Sequence, residues 1–423
     1  MSGRFHGLIF LSFSLLGFSP ILDLKASAPP SSLDSNKVSL GIWHGEILRN
    51  DGHAIEFNIQ TRAFSGRLIM YVINGTERLL VDDIRQQGDS LFINMPFFDS
   101  HFALRIVDEN HLEGNWIKIS GDKQAIVPFR ALFNQPDRFL NPRKAAFDVS
   151  GRWAAHFRSA SDSTEAIGEF RQLGNEVQGT FLTTTGDYRF LQGVVDGDTL
   201  RLSTFDGGHA YSFVSKILDS NSMQGFYYSG ASYTESWVAE KNAGAKLPDE
   251  FSLTGLKDSA QARLQFKFPD LNGRMVSLSD PVYKNKVVIV QILGSWCPNC
   301  MDETRFLSPW YLQNKSRGVE ILGLAYERTT SFSDAQRLLQ PFVSRFHVTY
   351  PILATGVSVG DSLRTEKTIP EIRAIAGFPT TIFIDKRGLV RKIATGINGP
   401  GTGEHYEMYK KEFNELVNSL LSE

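Results

Sequence analysis

The feature that most constrains the fold is an internal repeat in the N-terminal half of the chain. Several landmarks occur twice, in the same order and at nearly one spacing, which chance similarity does not produce. They are Gly41-Ile42-Trp43 with Gly151-Arg152-Trp153, Gly88-Asp89-Ser90-Leu91 with Gly197-Asp198-Thr199-Leu200, Phe98-Asp99 and His101 with Phe205-Asp206 and His209, and Gly114 with Gly225. We therefore expect two homologous units, at residues 36–140 and 145–242.

Both units have the sequence pattern of antiparallel β-sheets. Ile55, Phe57 and Ile59 alternate with polar residues, as in a strand that buries one face and leaves the other in water. Asn74-Gly75 predicts a type I′ hairpin turn, which needs positive φ at both central residues. The Gly-x-Trp at the start of each unit resembles lipocalin-like and avidin-like barrels. We therefore predict a multidomain chain that begins with two all-β repeats, barrel-like or sandwich-like.

Each unit also has an aspartate close to a histidine, Asp99 with His101 and Asp206 with His209. These are fewer ligands than a metal ion normally has in a protein. We therefore expect strand-end turns in which the carboxylate accepts backbone N–H groups. No residue cluster in 36–242 identifies a ligand, so binding of an unidentified partner by the β repeats stays open.

The N-terminal segment has the pattern of a secretory signal. Arg4 precedes an uncharged, apolar run over residues 7–22, and Ala26-Ser27-Ala28 has the small-x-small form of a cleavage site. We expect residues 1–28 to be a signal peptide and the protein to be extracytoplasmic, in the periplasm. The alternative is an uncleaved anchor in the inner membrane, although the run is shorter than the roughly 20 residues of a membrane helix.

Charge and composition narrow the partners and the domain count. Lys and Arg number 44 and Asp and Glu 46, without blocks of like charge, so the chain has no electrostatic means of binding nucleic acid. Hydrophobic residues at 42% are enough for folded cores. The Gly- and Pro-containing stretch 243–265 has weak periodicity and predicts a linker. Residues 266–423 then form the last domain.

The only two cysteines lie in one Cys-Pro-Asn-Cys motif. It follows the apolar, β-branched run Val287–Leu293, which predicts a central strand buried on both faces. Pro298 suits the first turn of the helix that follows, so Cys297 lies at the helix N-terminus, where the dipole favours a thiolate. Cys297 is the predicted nucleophile and Cys300 the resolving thiol. We expect no metal, because a zinc site needs more cysteines, and no cofactor beyond the redox-active Cys297–Cys300 disulfide.

Two motifs resemble the TlpA/ResA-like family of exported thiol-disulfide oxidoreductases in the thioredoxin superfamily. They are Trp296-Cys297-Pro298-Asn299-Cys300 after a buried strand and Gly377-Phe378-Pro379-Thr380-Thr381 before another. The resemblance covers 266–423 and implies an α/β thioredoxin-like domain in which Pro379 is cis and faces the cysteines. Trp296, Pro298, Phe378 and Pro379 would then border the substrate. A carboxylate at the position of Glu303 would exchange a proton with Cys300; the alternative is a solvated helix glutamate.

The resemblance implies an enzyme that reduces disulfides of proteins outside the cytoplasm, and apocytochrome c is one such substrate. The electrons would come from a membrane-embedded thiol donor. Two alternatives stay open. A thiol peroxidase of the peroxiredoxin type shares the fold, but Val290 and Gly294 stand where its proline and threonine are expected. The other alternative is a ligand- or partner-binding protein, in which the β units bind and the redox domain is accessory.

Overall fold

The structure is a computed structural model that describes residues 38–121, 123–160, 162–248, 253–258 and 263–423. The predicted signal segment, 1–28, and part of the predicted linker, 243–265, lie outside these residues. Within the described part, no helix combines the length and the apolar character needed to cross a membrane.

The first β unit, unit 1, is a curled antiparallel sheet in which neighbouring strands mostly follow one another in the chain. Its strands are β1 Gly41–Leu48, β2 Ala54–Phe64, β3 Arg67–Asn74, β4 Glu77–Val81, β5 Asp83–Gln87, β6 Ser90–Asn94, β7 Ser100–Asp108, β8 His111–Ser120 and β9 Lys123–Phe133. They lie in the order β4-β3-β2-β1-β9-β8-β7-β6-β5. Among the described residues β4 does not pair with β5, so the barrel is open along one seam.

The second β unit, unit 2, has the same order of strands but a closed ring. Its strands are β10 Gly151–Arg158, β11 Ser163–Leu173, β12 Glu176–Thr183, β13 Gly186–Asp187, β14 Leu191–Asp196, β15 Thr199–Phe205, β16 Ala210–Asp219, β17 Ser222–Ser229 and β18 Tyr233–Lys241. β12 pairs with both β11 and β14, which closes the barrel. The prediction of two all-β, barrel-like repeats is confirmed.

The repeated landmarks occupy equivalent places in the two units. Trp43 and Trp153 are buried near the starts of β1 and β10, and each indole N–H donates to a carbonyl four residues earlier, Ser39 at 3.2 Å and Val149 at 2.8 Å. A Cβ atom at Gly114 would lie 2.2 Å from the Ala103 carbonyl oxygen, and one at Gly225 would lie 2.0 Å from that of Val214. The neighbouring strand therefore requires glycine at both positions.

The predicted type I′ turn at Asn74-Gly75 is wrong. Asn74 pairs with Glu77 in the β3–β4 register, so the central residues are Gly75 and Thr76, and only Gly75 has positive φ. Asn74 is fully buried and uses its amide on unit 2, where its Nδ2 donates to the Phe205 carbonyl (2.8 Å) and its Oδ1 accepts the Phe205 N–H (3.1 Å). These long-range bonds keep Asn74 in the strand.

The β15–β16 turn of unit 2, residues 205–210, inserts into unit 1. Phe205 is fully buried and stacks on Phe57 with 4.3 Å between ring centroids. The Trp116 indole of unit 1 donates to the Gly207 carbonyl at 2.9 Å. The Asp206 carboxylate accepts the N–H groups of Gly208 and His209 at 3.0 and 2.7 Å, the turn-closing role expected of this residue.

Unit 2 also covers part of the outer face of unit 1, which corrects the expectation that this face meets water. Glu56 and Asn58 on β2 are buried. Glu56 accepts a hydrogen bond from Arg201 of unit 2 at 2.9 Å, and Asn58 donates to the carbonyl of Pro136 in the connection between the units.

The C-terminal domain is a five-stranded mixed sheet with helices on both faces. Its strands are β19 Lys267–Pro269, β20 Met275–Ser277, β21 Val287–Leu293, β22 Val319–Ala325, β23 Ile352–Ala354, β24 Thr380–Ile384 and β25 Val390–Thr395, and its α-helices are α1 Pro298–Asn314, α2 Phe332–Phe346, α3 Arg364–Thr368 and α4 Glu404–Ser422. The sheet order is β23-β22-β21-β24-β25, with β21 to β23 parallel and β24 and β25 antiparallel. β19 and β20 form a separate hairpin.

The central strand β21 is buried on both faces, as its apolar run predicted. Val287 and Ile289 lie in one core cluster with Leu307 of α1 and Val417 of α4. The alternate residues of the same strand pack on the other side of the sheet with Ile369, Ile372 and Ile375. This arrangement fixes the end of β21, from which the Cys-Pro-Asn-Cys motif continues.

Unit 1 docks on helix α2. Phe97 stacks on Phe346 with ring centroids 5.1 Å apart, and the Arg345 guanidinium donates to the Leu80 carbonyl at 2.9 Å. The Asp99 carboxylate lies 3.3 Å from the guanidinium of Arg337. Asp99 is therefore used in an interface between domains and not, like Asp206, in a turn.

Candidate active site

Cys297 and Cys300 form a disulfide at the N-terminus of α1, with 5.3 Å between their Cα atoms. Cys297 is the N-cap residue, Pro298 is the first helical residue, and the Cys300 N–H donates to the Cys297 sulfur at 3.1 Å. This N–H is one of those that a helix leaves without an intrahelical partner, and it favours negative charge on the Cys297 sulfur. Cys300 is fully buried and Cys297 is 2% exposed.

The loop before β24 lies against the disulfide. The Phe378–Pro379 peptide bond is cis, and the Phe378 carbonyl oxygen lies 3.5 Å from the Cys297 sulfur. The Trp296 ring meets the Phe378 ring edge to face, with centroids 5.1 Å apart, and its indole N–H donates to the Tyr326 carbonyl at 2.8 Å. The structure thus brings Trp296, Phe378 and Pro379 together around Cys297.

Glu303 is fully buried one turn after Cys300, which excludes the solvated helix glutamate considered from the sequence. Its carboxylate accepts hydrogen bonds from Thr381 (2.6 Å), Gln291 (2.8 Å) and Tyr409 (2.9 Å). Burial raises the pKa of Glu303, although the three hydrogen bonds oppose that shift. A buried carboxyl group with a raised pKa is suited to taking up a proton.

A second buried glutamate, Glu327, was missed by the sequence analysis. Its carboxylate accepts the backbone N–H of Ser295 at 2.8 Å and the hydroxyl of Ser295 at 2.7 Å. Burial raises the pKa of Glu327, and the two bonds from Ser295 lower it in part. Parallel strands β21 and β22 end at the same edge of the sheet, so the positions of Ser295 and Glu327 just after these strands were a signal for this contact.

A buried charge cluster joins all three parts of the chain next to the disulfide. Arg189 of unit 2 donates to both carboxylate oxygens of Asp302 in α1, at 2.8 and 3.1 Å, and to Glu77 of unit 1 at 2.7 Å. The Asp206 carboxylate lies 3.6 Å from the Arg189 guanidinium. Burial alone would lower the pKa of Arg189, but Asp302 and Glu77 hold it well above its ordinary value. No local sequence pattern indicates this cluster.

A cavity of about 460 Å³ opens beside the active site on the side of Trp296. All three parts of the chain line it, including Lys118 and Ser120 of unit 1, His209 of unit 2, and Glu327 and Arg328 of the C-terminal domain. The Arg328 guanidinium also lies 5.4 Å from the centre of the Trp296 ring. The β units therefore contribute directly to the surroundings of the cysteines.

One group of metal-ligand residues occurs among the described residues, His44, Glu46 and Glu56 in unit 1. Both carboxylates already face arginines, Glu46 with Arg130 and Glu56 with Arg201. Hydrogen bonding from His44 and the charge of Arg130 lower the pKa of Glu46 to about 2, despite its partial burial. These ion pairs account for the group, and we assign it no metal.

The mixed sheet, the Cys-x-x-Cys disulfide at the start of α1 and the cis-proline loop against it define a thioredoxin-like domain of the thiol-disulfide oxidoreductase class. The model of the AhpC/TSA family matches residues 259–393. Two curated relatives are named thiol-disulfide oxidoreductase ResA. The one from Bacillus thuringiensis subsp. konkukian is 29% identical over 35% of this chain and 73% of its own length, and the one from Geobacillus thermodenitrificans is 30% identical over 31% and 66%.

Among solved structures, a thiol-disulfide oxidoreductase from Bacteroides fragilis is 16% identical, with a TM-score of 0.26 over 34% of this chain and 96% of its own. The similarity to ResA lies in the C-terminal third of the chain, where the sequence motifs predicted it. The predicted relationship of this domain to ResA-like thiol-disulfide oxidoreductases is confirmed.

Proposed function

We propose that this protein reduces disulfide bonds of extracytoplasmic proteins through Cys297 and Cys300. The observation that carries the proposal is the hydrogen bond from the Cys300 N–H to the Cys297 sulfur at the start of α1. It stabilises a Cys297 thiolate over the thiol, and the thiolate is the nucleophile in disulfide exchange. The name of the ResA relatives supports the same chemistry.

The reaction begins from the reduced dithiol. The Cys297 thiolate attacks one sulfur of a substrate disulfide, which forms a mixed disulfide and releases the other substrate sulfur as a thiolate. Cys300 then loses its proton and attacks the Cys297 sulfur, which releases the second substrate thiolate. The substrate has gained two electrons, and the protein is left with the Cys297–Cys300 disulfide. No cofactor beyond this disulfide takes part.

A second thiol exchange must return the dithiol. We assign this step to a thiol electron donor embedded in the membrane, as the family resemblance implies, with apocytochrome c among the substrates. Both assignments place the protein in the periplasm, in agreement with the signal-like pattern of residues 1–28.

Glu303 is our candidate for the group that accepts the Cys300 proton. It lies one helical turn from Cys300, is fully buried, and has a raised pKa, so that proton uptake costs less than for an exposed glutamate. Our candidates for contacts with the substrate are Trp296, Pro298, Phe378 and Pro379. Trp296, Phe378 and Pro379 surround Cys297, and Pro298 begins the helix beside it.

The two cysteine variants test the assignment of roles. Cys297→Ser should abolish reduction of a protein disulfide such as that of insulin. Cys300→Ser should accumulate a covalent mixed disulfide, because the resolving thiol is absent. Mass mapping of the adduct locates the attacking sulfur. A substrate adduct on Cys300 in the Cys297→Ser protein, at the rate of the wild-type reaction, would reverse the roles.

Glu303→Gln tests the proton acceptor, with Glu327→Gln as the matched control, since both glutamates are buried and have raised pKa values. Resolution of a preformed mixed disulfide should slow on the order of 10²-fold in Glu303→Gln, the usual size of general-base catalysis. In the wild type this rate should fall as pH drops through the pKa of Glu303, because the protonated carboxyl cannot accept a proton. If the rate of Glu303→Gln still falls in the same way at low pH, the titrating group is not Glu303.

A further inference from the structure

Cys297 is too deeply buried for the proposed reaction in this conformation. Only 2% of its surface is exposed, whereas a sulfur of a protein substrate must come within bonding distance of the Cys297 sulfur. Unit 2 supplies a segment that lies over this region, the turn between β12 and β13. We define this β12–β13 turn as residues 183–187.

The turn is in close contact with the cis-proline loop and the strand beside it. A Cβ atom placed on Gly377 would lie 2.8 Å from the Thr185 side chain, and one placed on Gly396 would lie 2.6 Å from the Thr185 carbonyl carbon. Gly396 in turn donates its N–H to the Pro379 carbonyl at 2.7 Å. No room for a polypeptide remains between Thr185 and the loop that borders Cys297.

The other end of the turn contacts the Cys-Pro-Asn-Cys motif itself. With its amide in the orientation that satisfies both groups, Asn299 accepts the Asp187 N–H at 3.0 Å and donates to the Asp187 carbonyl at 3.2 Å. A Cβ atom on Gly186 would lie 1.8 Å from the nearer terminal atom of the Asn299 amide. The β12–β13 turn therefore bridges the two elements that flank Cys297, and its backbone pairs with the residue between the cysteines.

The attachment of the turn to the C-terminal domain is polar. The Asp187 carboxylate accepts the Gly399 N–H at 2.6 Å, and Arg189 forms its ion pair with Asp302 just beyond the turn. The core of unit 2 around Trp153 and Phe181 is separate from the two apolar clusters that include C-terminal residues. Unit 2 contributes Phe205 and Ala210 to one of those clusters, from the β15–β16 turn and not from the β12–β13 turn. Water can replace these polar partners when the surfaces separate, so detachment exposes little apolar area.

We propose that the β12–β13 turn is an intramolecular cap on the active site, and that a protein substrate reaches Cys297 only after this turn has moved away. The inference rests on the proposed function and adds its regulation: unit 2 sets the fraction of molecules that are open to polypeptides. A partner that binds unit 2 away from the C-terminal domain would activate the dithiol by population shift.

Gly186→Ala in the full-length chain is the variant that should weaken the cap, because its new methyl group collides with the Asn299 amide, and moving this amide breaks its two hydrogen bonds to Asp187. Gly174→Ala is the matched control. Gly174 lies in another turn of unit 2 and also has positive φ, but a Cβ atom there would have no described residue within 4 Å. Both variants carry backbone strain, which is greater at Gly186 (φ 143°) than at Gly174 (φ 62°), and only Gly186→Ala contacts the active site.

The reduced proteins are alkylated at Cys297 with iodoacetamide and, separately, with a maleimide attached to a bulky polymer. We expect the ratio of the bulky to the small reagent rate to rise at least fivefold in Gly186→Ala and to stay at the wild-type value in Gly174→Ala. Insulin reduction should rise in parallel. An unchanged ratio in a folded Gly186→Ala protein would overturn the cap.

Thr185→Ala decides the question if Gly186→Ala does not fold. It removes the side chain that packs on Gly377 without adding strain, and it should raise the same ratio about twofold or more, as expected when a few contacts of a closed state are lost. A ratio equal to that of the wild type would again overturn the proposal. The alkylation ratio does not require turnover, so a protein that reduces no disulfide, and thus contradicts the proposed function, still reports on the cap.

Discussion

The two β units share a repeat and an order of strands, yet they meet the C-terminal domain by different means. Unit 1 lies on α2 through stacked rings, Phe97 on Phe346, and its core belongs to the same apolar cluster as that of the helices. Unit 2 meets the cysteine motif through a buried ion pair, Arg189 with Asp302, and through hydrogen bonds of the β12–β13 turn.

This difference shows how one duplicated unit can serve two purposes. Apolar packing is hard to separate in water and suits a permanent support. Polar contacts exchange partners with water at lower cost and suit a surface that detaches. The repeat thus preserves the strand framework, while residues at the ends of the strands determine what each copy does.

The largest expected effect comes from deleting one carboxylate in each interface. Asp302→Ala removes two charge-assisted hydrogen bonds from buried Arg189, which keeps Glu77 and Asp206 nearby, and should destabilise the contact of unit 2 by roughly 3–5 kcal/mol. Asp99→Ala removes a partly exposed partner of Arg337 and should cost at most about 1 kcal/mol. Hydrogen exchange resolves the loss by region. Equal losses would show that the two interfaces do not differ in this way.

The dependence of stability on pH tests the interface of unit 2, because its carboxyl group Asp187 should stabilise the fold at low pH and lose this contribution as pH rises. Burial raises the pKa of Asp187 to about 6, helped by the charge of Asp302 and opposed by the Gly399 N–H. The native state therefore holds this proton more tightly than the unfolded chain, so the contribution of Asp187 is present below pH 4 and is lost as pH rises to about 6. The stability of the wild type relative to Asp187→Asn should fall by about 3 kcal/mol over that interval.

Asp196, also in unit 2, serves as the control with the opposite sign. A hydrogen bond from Arg143 lowers the pKa of Asp196, so its contribution to stability is present at neutral pH and is lost as pH falls through the lowered value. Urea titrations at a series of pH values measure both differences. If Asp187→Asn and wild type remain parallel between pH 4 and 6, Asp187 is ionised throughout and the interface is not pH-sensitive at this residue.

The smallest expected effect concerns the two repeated tryptophans. The Trp43 indole donates to both the Ser39 carbonyl and the Thr61 hydroxyl, whereas that of Trp153 donates to the Val149 carbonyl. Replacement by phenylalanine should therefore cost about 1 kcal/mol more at position 43 than at position 153. Exchange rates of amides in β1 and β10 report the two losses. A larger loss at Trp153 would mean that packing, and not hydrogen bonding, controls the difference.

Local patterns were sufficient to predict the strand β21, the helix that follows it and the cysteine motif between them. A continuous apolar run can be satisfied only where both faces are covered, and Pro298 is tolerated only at the start of a helix. The repeated Gly-x-Trp and Gly-Asp turns likewise indicated two β units. In each case the residues that determine the structure are close together in the chain.

Contacts between distant residues were not predictable in the same way. Arg189 and Asp302 are ordinary charged residues in their local surroundings, and their ion pair depends on how unit 2 lies on α1. The type I′ prediction failed at Asn74 for the same reason, because its amide bonds to Phe205 in the other unit. The proposed cap is made of such contacts and became visible only in three dimensions.

The insertion of Phe205 into unit 1 has a consequence for the order in which the protein matures during synthesis. Unit 1 ends at β9, yet Phe205, whose ring packs in its core and whose backbone pairs with Asn74, lies 131 residues after Asn74 in the second repeat. A nascent chain generally folds from its N-terminal domain onward as it leaves the ribosome. Here the first barrel must wait for the β15–β16 turn of the second, so the two copies reach their final state as a single cooperative body.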